Sequence, residues 1–253
     1  MKLYMLLILM VYTCALKAQG PPITVDKPIM LGGNSFTVRT LTEIRTTERG
    51  TSTFIPLVVD YLPTSNTSVA VSVPIINYSL EGLGNETILA DIKVTGKYQF
   101  YRKDQTGKTF RVVAKTVQNI PTGKKIGVIN QSTGEYQSYY GLVSGFETLK
   151  YGISTEVGYN WSPSIFDEFV VKLGFGLPLL KPQYPNKQIN LFFEYTSSLF
   201  TSVEQYQLLY AQGIQYALKH VTFDLSVQLP LINNNNELNV FKNSVFLGTR
   251  YTF

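Results

Sequence analysis

The side chains in this chain with most chemistry to offer are charged, and they recur at even intervals. Asp91, Lys93 and Lys97 share one face of any extended segment through them, as do Arg111 and Lys115. Glu156, Glu168, Lys172, Glu194, Asp224 and Arg250 stand in the same way among apolar alternates further on. Such a set can prop an interior with ion pairs. It can also set a field across a passage and hold the carboxylate or phenolate of a passing solute. With a hairpin centred near Gln105, Lys97 falls opposite Val113 and Lys115 opposite Thr95. Lys93 and Lys97 are then diagonal neighbours of Lys115, with Arg111 close, and like charges packed this way repel. Glu156, Glu168 and Glu194, with Lys172, make the facing wall mainly acidic.

Other chemistry is absent or weak. Gly107-Lys108-Thr109 echoes the end of a phosphate-binding loop, but Arg102 stands where that motif needs its upstream glycine. Cys14 is the only cysteine and His220 the only histidine. With no carboxylate cluster at ligand spacing, neither a metal site nor a cofactor is expected. A lipid hydrolase would need a serine and a histidine on a lipid-facing surface. His220 is in phase with Thr222, Asp224, Ser226 and Gln228 and sits at a turn, which reads as a structural or solvated residue in a protein that is not an enzyme.

The elements that must position these charges are strands. Apolar residues alternate with small or polar ones in Thr53–Tyr61, Ser68–Ile75, and around Ala90, Ile92, Val94, Tyr98 and Phe100. The same period runs through Phe110, Val112, Ala114 and Ile120, and through Tyr140, Leu142 and Phe146. It continues in Tyr151 to Trp161, Phe169 to Leu177, Ile189 to Tyr195, Tyr206 to Tyr216 and Val221 to Leu229. Ser35–Arg45 is the weakest, because its phase slips between Val38 and Leu41, as a bulge would make it. The last segment puts Phe241, Val245, Leu247, Tyr251 and Phe253 on one face. Lys242, Ser244, Phe246, Gly248, Arg250 and Thr252 fall on the other. About twelve strands result, each near the ~9–11 residues a tilted strand needs to cross a bilayer.

Composition agrees. Charged residues are 15 % and aromatics 13 %, with 17 Tyr and 15 Phe. Soluble domains carry nearer a quarter charged residues. Val157, Leu173, Phe193, Tyr210 and Leu225 are expected to meet lipid. Rings near strand ends, such as Tyr98, Phe100, Tyr101, Tyr139, Tyr140, Tyr159, Trp161, Tyr206 and Tyr251, suit a membrane interface. Links alternate in length: Pro63–Asn66, Gln105–Gly107, Thr148-Leu149 and Leu218-Lys219 are tight, whereas Tyr78–Glu86, Gly123–Gln137 and Ile232–Glu237 are long. Short periplasmic turns and longer outside loops are the habit of outer-membrane barrels. Lys181–Lys187 is the exception, a Pro-rich link on the short side.

The start of the chain has the layout of a cleaved secretory signal over residues 1–18. Lys2 is its charge, Leu3 to Tyr12 its apolar run and Thr13 to Ala18 its small residues. The formal charge of +5 at pH 7, less the two of Lys2 and Lys17, leaves +3, too mild for a nucleic-acid partner. Residues 19–34, with Pro21, Pro22, Pro28 and Gly32-Gly33, read as an irregular segment in the periplasm or the barrel mouth, and a narrow lumen partly blocked by side chains or by this segment is expected. Residues 35–253 read as an all-β, transmembrane antiparallel β-barrel. Tyr251 and Phe253 fit the C-terminal signal read by the barrel-assembly machinery.

The block Leu89-Ala90-Asp91-Ile92-Lys93-Val94-Thr95-Gly96-Lys97-Tyr98-Gln99-Phe100, followed by a hairpin and Ile120-Pro121-Thr122-Gly123, resembles one outer-membrane family. That is the transporter and meta-pathway phenol-degradation family. It shows an Asp, an alternating stretch, Lys-Tyr-x-Phe and then Pro-Thr-Gly at the outer end of the next strand. The resemblance covers about Leu89 to Gly123 and implies a barrel that passes aromatic or other small hydrophobic compounds. The chain thus reads as a monomeric porin-like channel or transporter in a bacterial outer membrane, with lipid and small-molecule solutes as partners. The rival reading is a non-transporting barrel acting through its loops in adhesion or assembly, and a lipid-modifying enzyme ranks below it.

Overall fold

The computed structural model describes residues 22–28, 32–82, 84–126, 132–163, 167–180, 187–201, 205–233 and 241–253. The signal-like residues 1–18 lie outside the described residues, as do most of the Pro-rich link at 181–187 and the asparagine run after Asn233. Thirteen strand segments are described. They are β1 (Ser35–Thr47), β2 (Gly50–Thr64), β3 (Thr67–Leu80), β4 (Gly84–Leu89), β5 (Ile92–Gln105), β6 (Lys108–Ile120) and β7 (Gln137–Thr148). They continue as β8 (Gly152–Trp161), β9 (Glu168–Pro178), β10 (Gln188–Phe200), β11 (Gln205–Ala217), β12 (Val221–Asn233) and β13 (Phe241–Thr252).

Neighbours in sequence pair antiparallel all the way round, and β13 pairs with β1 from Thr37↔Thr252 to Thr47↔Phe241. The sheet therefore closes on itself, and among the described residues only β4 keeps one edge without a strand partner. The segments make twelve barrel strands, because β4 and β5 are halves of one. β4 pairs with the far half of β3 (Ile75↔Leu89 to Leu80↔Gly84) and β5 with its near half (Thr67↔Tyr98 to Ser72↔Lys93).

The period-2 pattern decides which side each residue takes. Leu57, Val71, Leu142, Leu173 and Leu225 point out and leave an apolar belt exposed around the barrel. Val157, Phe193 and Tyr210 lie on the same outer side, with Tyr210 packed on Tyr195 at 5.2 Å. Between them the inward alternates are small or polar: Ser154, Glu156, Asn190, Glu194, Gln215, Asp224, Ser226 and Ser244 are all buried. Several are joined by hydrogen bonds, as most polar groups out of water are. Asn190 Nδ2 donates to Gln215 Oε1 at 3.1 Å, and Gln215 Nε2 donates to Asp224 Oδ1 at 2.7 Å.

Several expectations change. Tyr139 is not an interface ring but points inward, its hydroxyl donating to Glu156 at 2.7 Å. Phe241 leaves the outer face and is buried under Arg45, because a bulge opposite Thr46/Thr47 takes one extra residue, Lys242, out of the alternation. The phase slip in β1 is not a bulge. Pairing with β2 keeps one register from Thr40↔Leu57 to Glu43↔Phe54. Leu41 faces inward and packs against the buried cluster of Ile23, Phe192 and Phe246. Ala90 is not an outward residue either, since the wall strand breaks at Ala90-Asp91. The Tyr78–Glu86 link proves short, because β3 runs to Leu80 and β4 starts at Gly84.

Both chain-terminal strand ends, Ser35 and Thr252, lie at one end of the barrel, called here the terminal end. The opposite, loop end carries the long 121–136 connection.

Candidate functional site

The interior is occupied by the chain itself. Residues 22–28 form no strand, and they lie against inward side chains on β5 to β11. Three anchors hold them. Glu194 on β10 accepts hydrogen bonds from the Ile23 amide at 2.7 Å, the Thr24 amide at 2.9 Å and the Thr24 hydroxyl at 2.5 Å. Lys27 reaches Glu147 on β7 at 2.5 Å, both side chains being buried. Asp26 bridges β5 and β6: one carboxylate oxygen meets Lys97 at 2.6 Å and the other Lys115 at 2.9 Å.

The wall is shaped to receive this segment. Gly145 and Gly213 face inward where larger residues would collide. A Cβ at Gly145 would stand 2.7 Å from the Pro28 ring, and one at Gly213 would overlap the Ile23 side chain. Ile23 completes the apolar patch with Phe192, Phe246 and Leu41, so burial adds to the ionic anchors.

Around Asp26 the charges interlock. Lys115 also reaches Glu156 at 2.8 Å, and its ammonium lies 5.4 Å from the centre of the Tyr139 ring. The Asp26 amide donates to the second Glu156 oxygen at 3.4 Å. Glu156 is 1 % exposed and pairs in register with Lys172 on β9. The register differs from the simple hairpin expectation. The turn is Thr106-Gly107 and a bulge falls between Gln99 and Tyr101, so Lys97 lies directly opposite Lys115. Two like charges face to face destabilise a sheet unless an anion sits between them. Asp26 is that anion.

The other charged positions take separate places. Lys93 faces in at the loop end, 5.8 Å from the centre of the Phe54 ring. Arg111 is near the terminal end, 3.6 Å from Asp104. Glu168 starts β9 at the loop end, opposite Asn160 on β8 and Phe200 on β10. Arg250 approaches Asp224 at 3.8 Å across β12 and β13. Tyr251 and Phe253 stack edge to face at 4.6 Å on the outer terminal rim, and the ring of His220 lies over Tyr251 at 6.2 Å.

Asp91 has a different task from lining a passage. It is fully buried at the break between β4 and β5 and accepts hydrogen bonds from Asn119 Nδ2 at 3.1 Å and from the amides of Gly123, Thr133 and Gly134 at 3.0, 3.0 and 3.3 Å. Thr122 Oγ1 in turn accepts from the Ile92 amide at 3.0 Å. These bonds fold the described parts of the connection, 121–126 and 132–136, onto the interior, where Ile126 covers Ile76, Tyr78, Leu80, Ile88 and Ala90. Sequence reasoning placed Asp26, Lys27, Glu147 and Tyr139 in no site, nor Glu43 on β1, which accepts hydrogen bonds from Ser244 Oγ at 2.7 Å and Arg45 Nε at 2.8 Å. For Glu147 and Glu43 the available signal was a carboxylate on the small, polar side of an alternating strand.

No family model matches the chain, and no curated protein matches it. Solved structures do. An outer membrane channel from Pseudomonas putida superposes with a TM-score of 0.72 at 12 % identity, covering 93 % of this chain and all of that one. The fold is that of an outer-membrane β-barrel. The KdgM porin superposes at 0.53 with 9 % identity, over 86 % of this chain and 99 % of that one. The β domain of the Bordetella autotransporter BrkA does so at 0.54 with 11 % identity, over 88 % and 100 %. At such identities the likeness is one of backbone alone.

Proposed function

We infer that this protein is a channel for small solutes in a bacterial outer membrane, closed at rest by residues 22–28. The observation that carries the reading is a closed barrel whose polar interior is filled by a segment that side chains hold, with no strand pairing among the described residues. The apolar belt would meet lipid, with the terminal end in the periplasm and the loop end outside, as barrels of this kind are oriented. A leader over residues 1–18 and recognition of Tyr251 and Phe253 by the assembly machinery belong to the same reading. Passage of aromatic or other hydrophobic solutes rests on the Leu89–Gly123 resemblance. The apolar inner patch under Ile126 supports it.

The test compares the mature chain with a variant lacking residues 19–28, in planar bilayers and in liposome swelling. Conductance should rise on deletion while the barrel keeps its heat-modifiable migration. Absence of flux for every solute in both folded proteins would overturn the channel and favour a barrel acting through its loops.

A further inference from the structure

We propose that Lys97 and Lys115 form a binding site for the carboxylate of a solute, which Asp26 occupies as a built-in substitute. The proposal rests on the channel reading and names the chemistry its passage selects. Three observations on the barrel wall carry it.

First, the two lysines are direct cross-strand partners on β5 and β6, each with a side chain only 13 % exposed. A wall built for rigidity would not place two cations opposite one another. Second, each lysine takes a different oxygen of the same carboxylate, at 2.6 and 2.9 Å. That is two-point recognition of a planar anion, the geometry in which charge-assisted hydrogen bonds are strongest. Third, the polarity is reversed relative to the other anchors. At Glu194 and Glu147 the wall supplies the anion and the segment supplies N–H groups or Lys27. Only at Asp26 does the segment bring a carboxylate to cations of the wall. Glu156 balances one of these cations and is itself opposite Lys172. When Asp26 leaves, the pair keeps an unbalanced positive charge. A carboxylate of a small solute can neutralise it, and its arrival lowers the cost of releasing the segment. The solute would thereby help to open its own path.

Benzoate is the probe, and benzamide its neutral isostere. Binding is measured on folded protein in detergent by ligand-observed NMR, which requires no flux. In Asp26→Asn the competitor has lost its charge, and benzoate should bind at least about tenfold tighter than to the unaltered chain, the weight of one charge-assisted hydrogen bond. Benzamide should not distinguish the two proteins. Adding Lys97→Gln or Lys115→Gln to Asp26→Asn should abolish the gain, each variant being checked for heat-modifiable migration. Two substitutions are used so that loss of fold in one leaves the other to decide. Equal benzoate binding with and without the Asp26 charge, or a gain that survives both lysine substitutions, would overturn the site. If conductance rises on deletion of residues 19–28 and benzoate shows no preference, the channel stands and this inference falls. If benzoate binds as expected and no solute passes, the site stands and the channel reading falls.

Discussion

Asp91 and Gly123 show how single residues fix the loop end. The Asp91 carboxylate takes two side-chain and three backbone donors, all from the β6–β7 region. Gly123 lies so close to the chain break that a Cβ there would stand 2.5 Å from the Ala90 carbonyl carbon. The Asp and the Pro-Thr-Gly were visible as a block in the sequence, and the alternation put Asp91 on the inner side. Its partners were not visible, because they arrive from residues about thirty to forty positions away. Asp91→Ala leaves several buried donors unpaired, at about 1–3 kcal/mol each. The variant should unfold at lower denaturant in lipid vesicles. Its 121–136 loop should be cut by protease faster than in the unaltered chain, and an unchanged cleavage rate would show that Asp91 does not hold that loop.

At the scale of the strand, the two faces obey different rules. Leu173 and Gly174 are neighbours on β9, one exposed on the belt and one facing Val25 inside. A lysine on the outer face near the bilayer midplane costs about 2–4 kcal/mol. Leu173→Lys should lower the unfolding free energy in liposomes by that order. Gly174→Ala adds a methyl whose nearest neighbour is 3.4 Å away, an ordinary contact, and should change stability little. Equal effects at the two positions would invert the facing of β9. The same period explains most strand assignments, and its failures are instructive. Leu41 reads as a slip in β1 only because an inward leucine is unusual, and the segment it packs against precedes β1 in the chain. The bulges at Phe100 and Lys242 each shift a register by one residue, and nothing in the local composition marks them.

For the molecule as a whole, closure and filling are separate matters. The ladder between β1 and β13 completes the ring without help from residues 22–28. A closed sheet offers a second copy no full-length edge, only the short one of β4, so light scattering in detergent should give the mass of one chain. Filling depends on fit. Gly145→Val sets a branched side chain where Pro28 now rests, the next nearest atom being the Ile153 carbonyl oxygen at 3.6 Å. It should lift the segment and raise single-channel conductance toward that of the deletion variant. Conductance equal to that of the unaltered chain would show that the segment is held without this contact.

The sequence by itself determined most of the strands, most of their inner and outer faces and an approximate count of twelve, since a period of 2 with apolar outer residues is a local property of the chain. It also placed Lys97, Lys115, Glu156 and Glu194 on the inner side. Only the tertiary structure decided what those charges do. Opposing Lys97 to Lys115 took a one-residue bulge, and the anion between them comes from a carboxylate 71 positions before Lys97. The break at Ala90-Asp91, and β4 before it in a stretch that reads largely as a link, likewise come from pairing with β3 and from a loop folded back from β6. Periodicity reports which way a side chain points. Which groups meet inside a closed barrel depends on register and on segments far apart in sequence.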